Sequence, residues 1–147
     1  MYLQEWRAEV EATSNLRLYK HVKFDFGFER YLCMYNSSFR VSITRLRLSS
    51  HLFLVERGRW GRKRIEYKDR LCTMCNTIED EFHCLIECPY YIKERKGCLP
   101  DILKRRPSMF EFVKYVKCEN EEELDMLGLL CFKVMKKHRD KQVLMDV

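Results

Sequence analysis

The sequence predicts a mainly α protein, a small helical domain organised around a compact Cys/His knuckle. Three observations point there. Apolar residues recur at helical spacing in several short segments, and capping residues stand at the starts of those segments. Four ligand-type side chains, Cys72, Cys75, His83 and Cys88, fall close together in the middle of the chain. A length of 147 residues suits one domain, or a compact body with an appended module. Read in order, the parts are an N-terminal helical region with a basic loop (1–71), the knuckle (72–91) and C-terminal helices (92–147).

Residues 2–12 and 16–23 read as helices, separated by Thr13-Ser14-Asn15, which offers a cap to the second. Glu29 to Tyr35 reads as a further short helix, stopped by Asn36-Ser37-Ser38. Beyond Ser38, a suitable N-cap, Phe39, Ile43 and Leu46 recur at four and three, the stripe of a buried helix. Val41 and Ile43 also alternate with polar neighbours, so a strand through 39–48 competes; helix is the preferred reading. Gly58 and Gly61 bracket Arg59-Trp60, and Arg62-Lys63-Arg64 follow, which makes residues 56–70 an irregular, strongly cationic loop. Residues 90–96 look helical until Gly97 and Pro100 interrupt them. Ser108 with Glu111, and Asn120 with Glu123, are spaced as capping boxes. The last helix carries a stripe of Leu124, Leu127, Cys131, Val134 and His138 and ends in Lys133, Lys136, Lys137 and Arg139. Acids at its start and bases at its end suit the helix macrodipole, which accounts for that charge pattern without a site.

Composition narrows the class. A hydrophobic share of 46% suffices for a core, and five glycines and three prolines leave little room for long disordered linkers. No run is long and apolar enough to span a membrane, and the first residues lack the basic-then-apolar pattern of a signal peptide, so the chain is expected to be intracellular. Its eight cysteines then read as metal-binding thiols plus free core thiols, with Cys33, Cys98, Cys118 and Cys131 in the second group. The net charge of +6 is segregated. Lysine and arginine dominate between Arg40 and Arg70, while acids gather at Glu79-Asp80-Glu81 and between Glu119 and Asp125.

Two residues between Cys72 and Cys75 bring both sulfurs round one ion, and an imidazole and a third thiol complete a spacing that can close a tetrahedral Zn²⁺ site. On spacing alone the fourth ligand is open. His83 fits, but Cys84 and Cys88 would share one face of an α-helix, and without a metal the group would be core thiols beside a surface histidine. Four protein ligands leave no position for water, so such a zinc is structural and its binding is coupled to folding. Three thiolates and one imidazole leave the cluster at a single negative charge, which Lys68 and Arg70 are placed in sequence to offset. The adjacent acids Glu79, Asp80 and Glu81 diverge on either a helix or a strand. They are expected to hold His83 or a basic segment, not a catalytic cation.

The run Arg70-Leu71-Cys72-Thr73-Met74-Cys75-Asn76, then Ile78 to His83, then Cys88-Pro89-Tyr90-Tyr91 with Arg95 beyond, resembles the zinc-binding region near the C-terminus of non-LTR (LINE-like) retrotransposon reverse transcriptases. Leu46 to His51 and Glu56 to Trp60 resemble the segment that precedes the cluster in that family, and Phe24 to Tyr31 does so more loosely. The likeness is strong over 46–91 and faint after 100. It implies a CCHC zinc knuckle of Cys72, Cys75, His83 and Cys88, with Cys84 packed beside it. The chain carries no polymerase-length body and no Tyr/Phe-x-Asp-Asp run, so the resemblance is to a free-standing tail without catalytic activity of its own.

The basic stretch offers Arg40, Arg45, Arg47, Arg57, Arg59, Arg62, Lys63, Arg64, Lys68 and Arg70 to phosphates. The centre of the expected interface is Arg57, Arg59, Trp60, Arg62, Lys63, Arg64 and Lys68, with Trp60 either stacking on an unpaired base or folding back onto the core. His51 reads as a packing residue. The expected function is a zinc-stabilised nucleic-acid-binding module that prefers RNA or single strands, with no small-molecule substrate and no membrane. The alternative is a structural domain with a protein partner, in which zinc only holds helices together and the arginines pair with the acidic patches.

Overall fold

The computed structural model describes residues 2–146. Among these residues eight α-helices follow one another: α1 (Tyr2–Ala12), α2 (Tyr19–Val22), α3 (Ser37–Arg47), α4 (Leu54–Arg57), α5 (Ile92–Arg95), α6 (Asp101–Arg105), α7 (Met109–Val116) and α8 (Glu121–Met145). Shorter turns link them, and among the described residues the one sheet-like pairing is an antiparallel bridge between Leu71 and Ile78. The mainly helical expectation, with the Cys/His cluster within it, is what the structure shows.

Side-chain caps set the starts of α3, α7 and α8. Ser108 Oγ accepts the Glu111 N–H at 3.2 Å, and Asn120 Oδ1 accepts those of Glu122 and Glu123 at 3.0 and 3.3 Å. Asn36, not Ser38, caps α3, its Oδ1 accepting the Phe39 N–H at 3.1 Å. The segment 39–48 is helix and not strand, with Ile43 and Leu46 fully buried and Phe39 packed on the core. The expected second helix is shorter than 16–23. Thr13 Oγ1 turns back to the Glu9 carbonyl at 2.7 Å and closes α1, so α2 begins only after Leu18, without a side-chain cap. The 29–35 segment is one 3₁₀ turn, Arg30–Cys33, and Cys33 is exposed on it instead of joining the core. Cys98, Cys118 and Cys131 are buried as expected.

The whole stripe Leu124, Leu127, Cys131, Val134 and His138 of α8 is buried, and α3 packs across it. Gly128 permits the close approach: a Cβ there would stand 2.5 Å from Phe39 Cβ. One hydrophobic cluster then joins α2, α3, α4, the knuckle, α6, α7 and α8. Two buried polar ties pass through it. Arg47, at the end of α3, donates to the Val116 carbonyl at the end of α7 (2.8 Å), pairs with Glu29 (3.2 Å) and lies over the Tyr31 ring. His138 accepts the Tyr91 hydroxyl at Nδ1 (2.6 Å) and donates from Nε2 to the Leu52 carbonyl (3.1 Å), so α8, the segment after the knuckle and the chain before α4 meet at one imidazole. Among the described residues no helix is long and apolar enough to cross a membrane.

Candidate metal centre and basic loop

Cys72 and Cys75 sit in a tight reversal. The Cys72 N–H bonds to the Thr77 carbonyl (2.7 Å), the Asn76 N–H to the Cys72 carbonyl (2.9 Å), and the Glu79 N–H to the Arg70 carbonyl (2.9 Å). Asn76 takes the left-handed conformation (φ 55°) that the reversal needs, a conformation asparagine tolerates better than most side chains. The returning segment leads to Asp80, whose Oδ1 accepts the His83 N–H at 2.8 Å and starts a helical turn.

That turn decides which side chain stands beside the three thiols. His83–Glu87 is a π turn, closed by the Cys88 N–H on the His83 carbonyl at 2.7 Å, five residues apart. In an α-helix, side chains five apart point about 140° away from each other and those four apart share a face. Widening the turn by one residue brings positions 83 and 88 to the same side. His83 therefore joins Cys72, Cys75 and Cys88, whose ligand atoms all lie within 4.8 Å of one another, and Cys84 points into the core, fully buried.

The geometry suits a cation. Cys88 Sγ is 3.9 Å from both Cys72 Sγ and Cys75 Sγ, far from a disulfide length and close to the edge of about 3.8 Å of a tetrahedron with Zn–S bonds of about 2.3 Å. His83 Nδ1 is held by Thr77 Oγ1 at 3.2 Å, with Glu87 Oε2 at 3.5 Å, while its buried Nε2 has no hydrogen-bond partner. An unpartnered buried ring nitrogen beside three thiols is the expected state of a histidine that serves as a ligand, with the other nitrogen fixed by a neighbour. Burial raises the Cys75 thiol and pushes that of Cys88 up to about 12, so the bare cluster favours thiols and a divalent ion would have to displace their protons. The Cys72/Cys75/His83/Cys88 group can thus hold a metal ion and fits a zinc site.

The surroundings differ from the expected ones in two ways. Arg70 does not face the cluster; its guanidinium donates to the carbonyls of Val55 (2.8 Å) and Ile65 (3.0 Å), packed where a Cβ on Gly58 would fall 2.9 Å from Nε. Arg95 takes its place beside the cluster, donating to the Leu85 carbonyl at 2.9 Å and to that of Cys88. The three acids diverge as expected. Glu79 accepts the Leu54 N–H at 2.9 Å, Asp80 caps the His83 turn, and Glu81 accepts from His51 at 2.9 Å. Burial works against the Glu81 carboxylate, but the hydrogen bond and charge of His51 outweigh it and hold the group below its ordinary value. His51 is thus a buried partner of Glu81, not a metal ligand.

The basic stretch divides. Arg47 and Arg70 are buried, half-buried Arg40 donates to the Met34 carbonyl, and half-buried Arg59 reaches Ser14 Oγ (2.8 Å) and Glu56 (3.5 Å), so these four are held by partners within the protein. Arg57 is half-buried. Arg62, Lys63, Arg64 and Lys68 are exposed, and none joins an ion pair among the described residues. Trp60 is 63% exposed and does not fold back into the core. The loop that carries it is closed by the Ile65 N–H on the Gly58 carbonyl at 2.9 Å. Arg95 stands in the run that resembles the zinc-binding region, but its bonds to the Leu85 and Cys88 carbonyls, like Thr77 on His83 and the Tyr91–His138 tie, act across the fold and leave no spacing signal in the sequence. No protein-family model matches the chain, and no curated protein or solved structure matches it either.

Proposed function

We propose that the protein is a nucleic-acid-binding module for RNA or single strands, built on a structural zinc held by Cys72, Cys75, His83 and Cys88, and similar to the tail of a non-LTR retrotransposon reverse transcriptase. The observation that carries the reading is the loop at 58–65. It presents an exposed Trp60 beside Arg62, Lys63 and Arg64, cations that no acid of the protein neutralises among the described residues. Its C-terminal anchor, Arg70, adjoins the knuckle, so the metal would fix the base on which the loop stands. Exposed guanidinium and ammonium groups next to a free aromatic face suit a phosphate backbone with unpaired bases. The zinc would be closed by four protein ligands and would serve the fold, leaving binding to the loop.

The test is affinity for single-stranded and duplex probes across a salt series, for the parent and for a variant with Arg62, Lys63 and Arg64 all changed to Ala. Single strands should bind more tightly, and the slope of log affinity against log salt should shrink by about 2 in the variant, at ~0.7 per lost phosphate contact. Equal weakness on every probe at low salt, or an unchanged variant, would overturn the reading.

A second reading, a protein-interaction domain, has one observation in its favour. A groove of about 660 Å³ is lined by Leu18, Phe24, Phe82, Met109 and Phe110, and several of these aromatic rings are exposed.

A further inference from the structure

A second concentration of positive charge lies beside the 58–65 loop, where Arg45 of the basic stretch meets Lys136 and Arg139 of α8. A cleft of about 590 Å³ opens between α3, from Ser37 to Arg45, and the Phe132–Arg139 stretch of α8, with Trp60 on its wall. That volume falls within the range of about 300–1,000 Å³ typical of small-molecule sites. From α3 come Ser38, Val41, Ser42 and Arg45, at a spacing that puts them on one face. From α8 come Phe132, Met135, Lys136 and Arg139, likewise on one face. α8 runs on to Met145 and carries no base in its last turn, so the macrodipole does not account for Lys136 and Arg139, which meet Arg45 and the positive end of α3 across a shared cleft.

Three features point to a ligand. No carboxylate lines the cleft, and Arg45, Lys136 and Arg139 are exposed and outside every ion pair among the described residues. His51 lines it with its side chain 1% exposed; Glu81 occupies Nε2 and the buried Nδ1 has no hydrogen-bond partner. Beside these groups stand apolar surfaces, Val41, Phe132, Met135 and the exposed ring of Trp60. A simple anion would use the cations and leave the aromatic wall idle. A ligand with a flat ring at one end and phosphate at the other uses both.

We propose that this cleft seats one nucleotide of a bound single strand, its base against Trp60 and its phosphates on Arg45, Lys136 and Arg139. The proposal rests on the nucleic-acid reading above and adds a site on α3 and α8 that the basic loop does not supply. Trp60 then serves both, because it stands at the junction of loop and cleft.

The test uses Trp6→Phe as background, so that Trp60 is the remaining tryptophan. A dodecauridylate titration should quench Trp60 fluorescence. Lys136→Ala with Arg139→Ala should abolish most of the quenching, weaken binding about tenfold and reduce the salt slope by about 1.4. Val41→Phe, which fills the mouth of the cleft without altering charge, should also abolish the quenching, with far-UV circular dichroism unchanged. Full quenching and parental affinity in both cleft variants, while the Arg62/Lys63/Arg64 variant is weakened, would overturn the cleft and leave the nucleic-acid reading standing. Failure of the parent to bind any probe would overturn both. Uridine monophosphate quenching Trp60 as fully as the dodecamer at equal concentration would overturn the strand-bound form.

Discussion

Arg47 and Arg70 come from the same basic stretch as Arg62, Lys63 and Arg64, yet the two groups end in opposite surroundings. Arg47, at the end of α3, has its side chain in the core, where the Val116 carbonyl at the end of α7, the Glu29 carboxylate and the Tyr31 ring receive its charge. Arg70 lies two residues from Cys72 and threads past Gly58 to the carbonyls of Val55 and Ile65. Residues 62–64 have no such neighbours, because the loop closes at Gly58 and Ile65 and leaves them in solvent. Cationic density along a sequence therefore does not measure a binding surface. What separates a structural arginine from a free one is whether an apolar stripe carries its stem inward to unpaired carbonyls.

The sharpest break of that contrast is Arg47→Ala. It leaves Glu29 buried and the Val116 carbonyl without its donor, and it should cost about 3–5 kcal/mol, read from the urea midpoint. The result should fall toward the lower end, because Lys23 also reaches Glu29 at 3.3 Å. A loss below 1 kcal/mol would place Arg47 with the free cations.

His138 tests the interior by pH. Burial holds its imidazole down at about 4, against about 6.5 when unfolded, because the charged form cannot be solvated between Tyr91 and Leu52. The unfolded chain then binds more protons between those values, so stability present above pH 6.5 is lost as pH falls toward 4. The loss should be about 3 kcal/mol, and denaturation midpoints across that window should show it. Replacing His138 by Gln should flatten the slope, and an unchanged slope would assign it to other groups. The smallest stability effect should come from Arg62, Lys63 and Arg64, each changing stability by no more than about 0.5 kcal/mol on replacement by Ala, although their joint loss should sharply weaken nucleic-acid binding.

The parts legible in the sequence are those set by near neighbours. Ser108 and Asn120 announce the starts of α7 and α8, and the spacing from Leu124 to His138 announces the buried face of α8. The start of α3 was less legible, because Asn36, Ser37 and Ser38 can all cap and only the geometry of entry selects Asn36. In the candidate site, Cys72, Cys75 and Cys88 can be read from their spacing. The choice between His83 and Cys84 cannot, since it turns on the pitch of one turn: an α turn would pair Cys84 with Cys88, and the π turn pairs His83 with it. The bonds of Arg95 and Thr77, and that between Tyr91 and His138, were illegible because each partner is chosen by tertiary packing.

The zinc content of the purified protein, measured alongside His83→Ala and Cys84→Ala, tests the central claim most directly. One zinc per chain is expected in the parent and in Cys84→Ala, and its loss in His83→Ala. Zinc absent from the parent, or lost from Cys84→Ala and kept in His83→Ala, would contradict it.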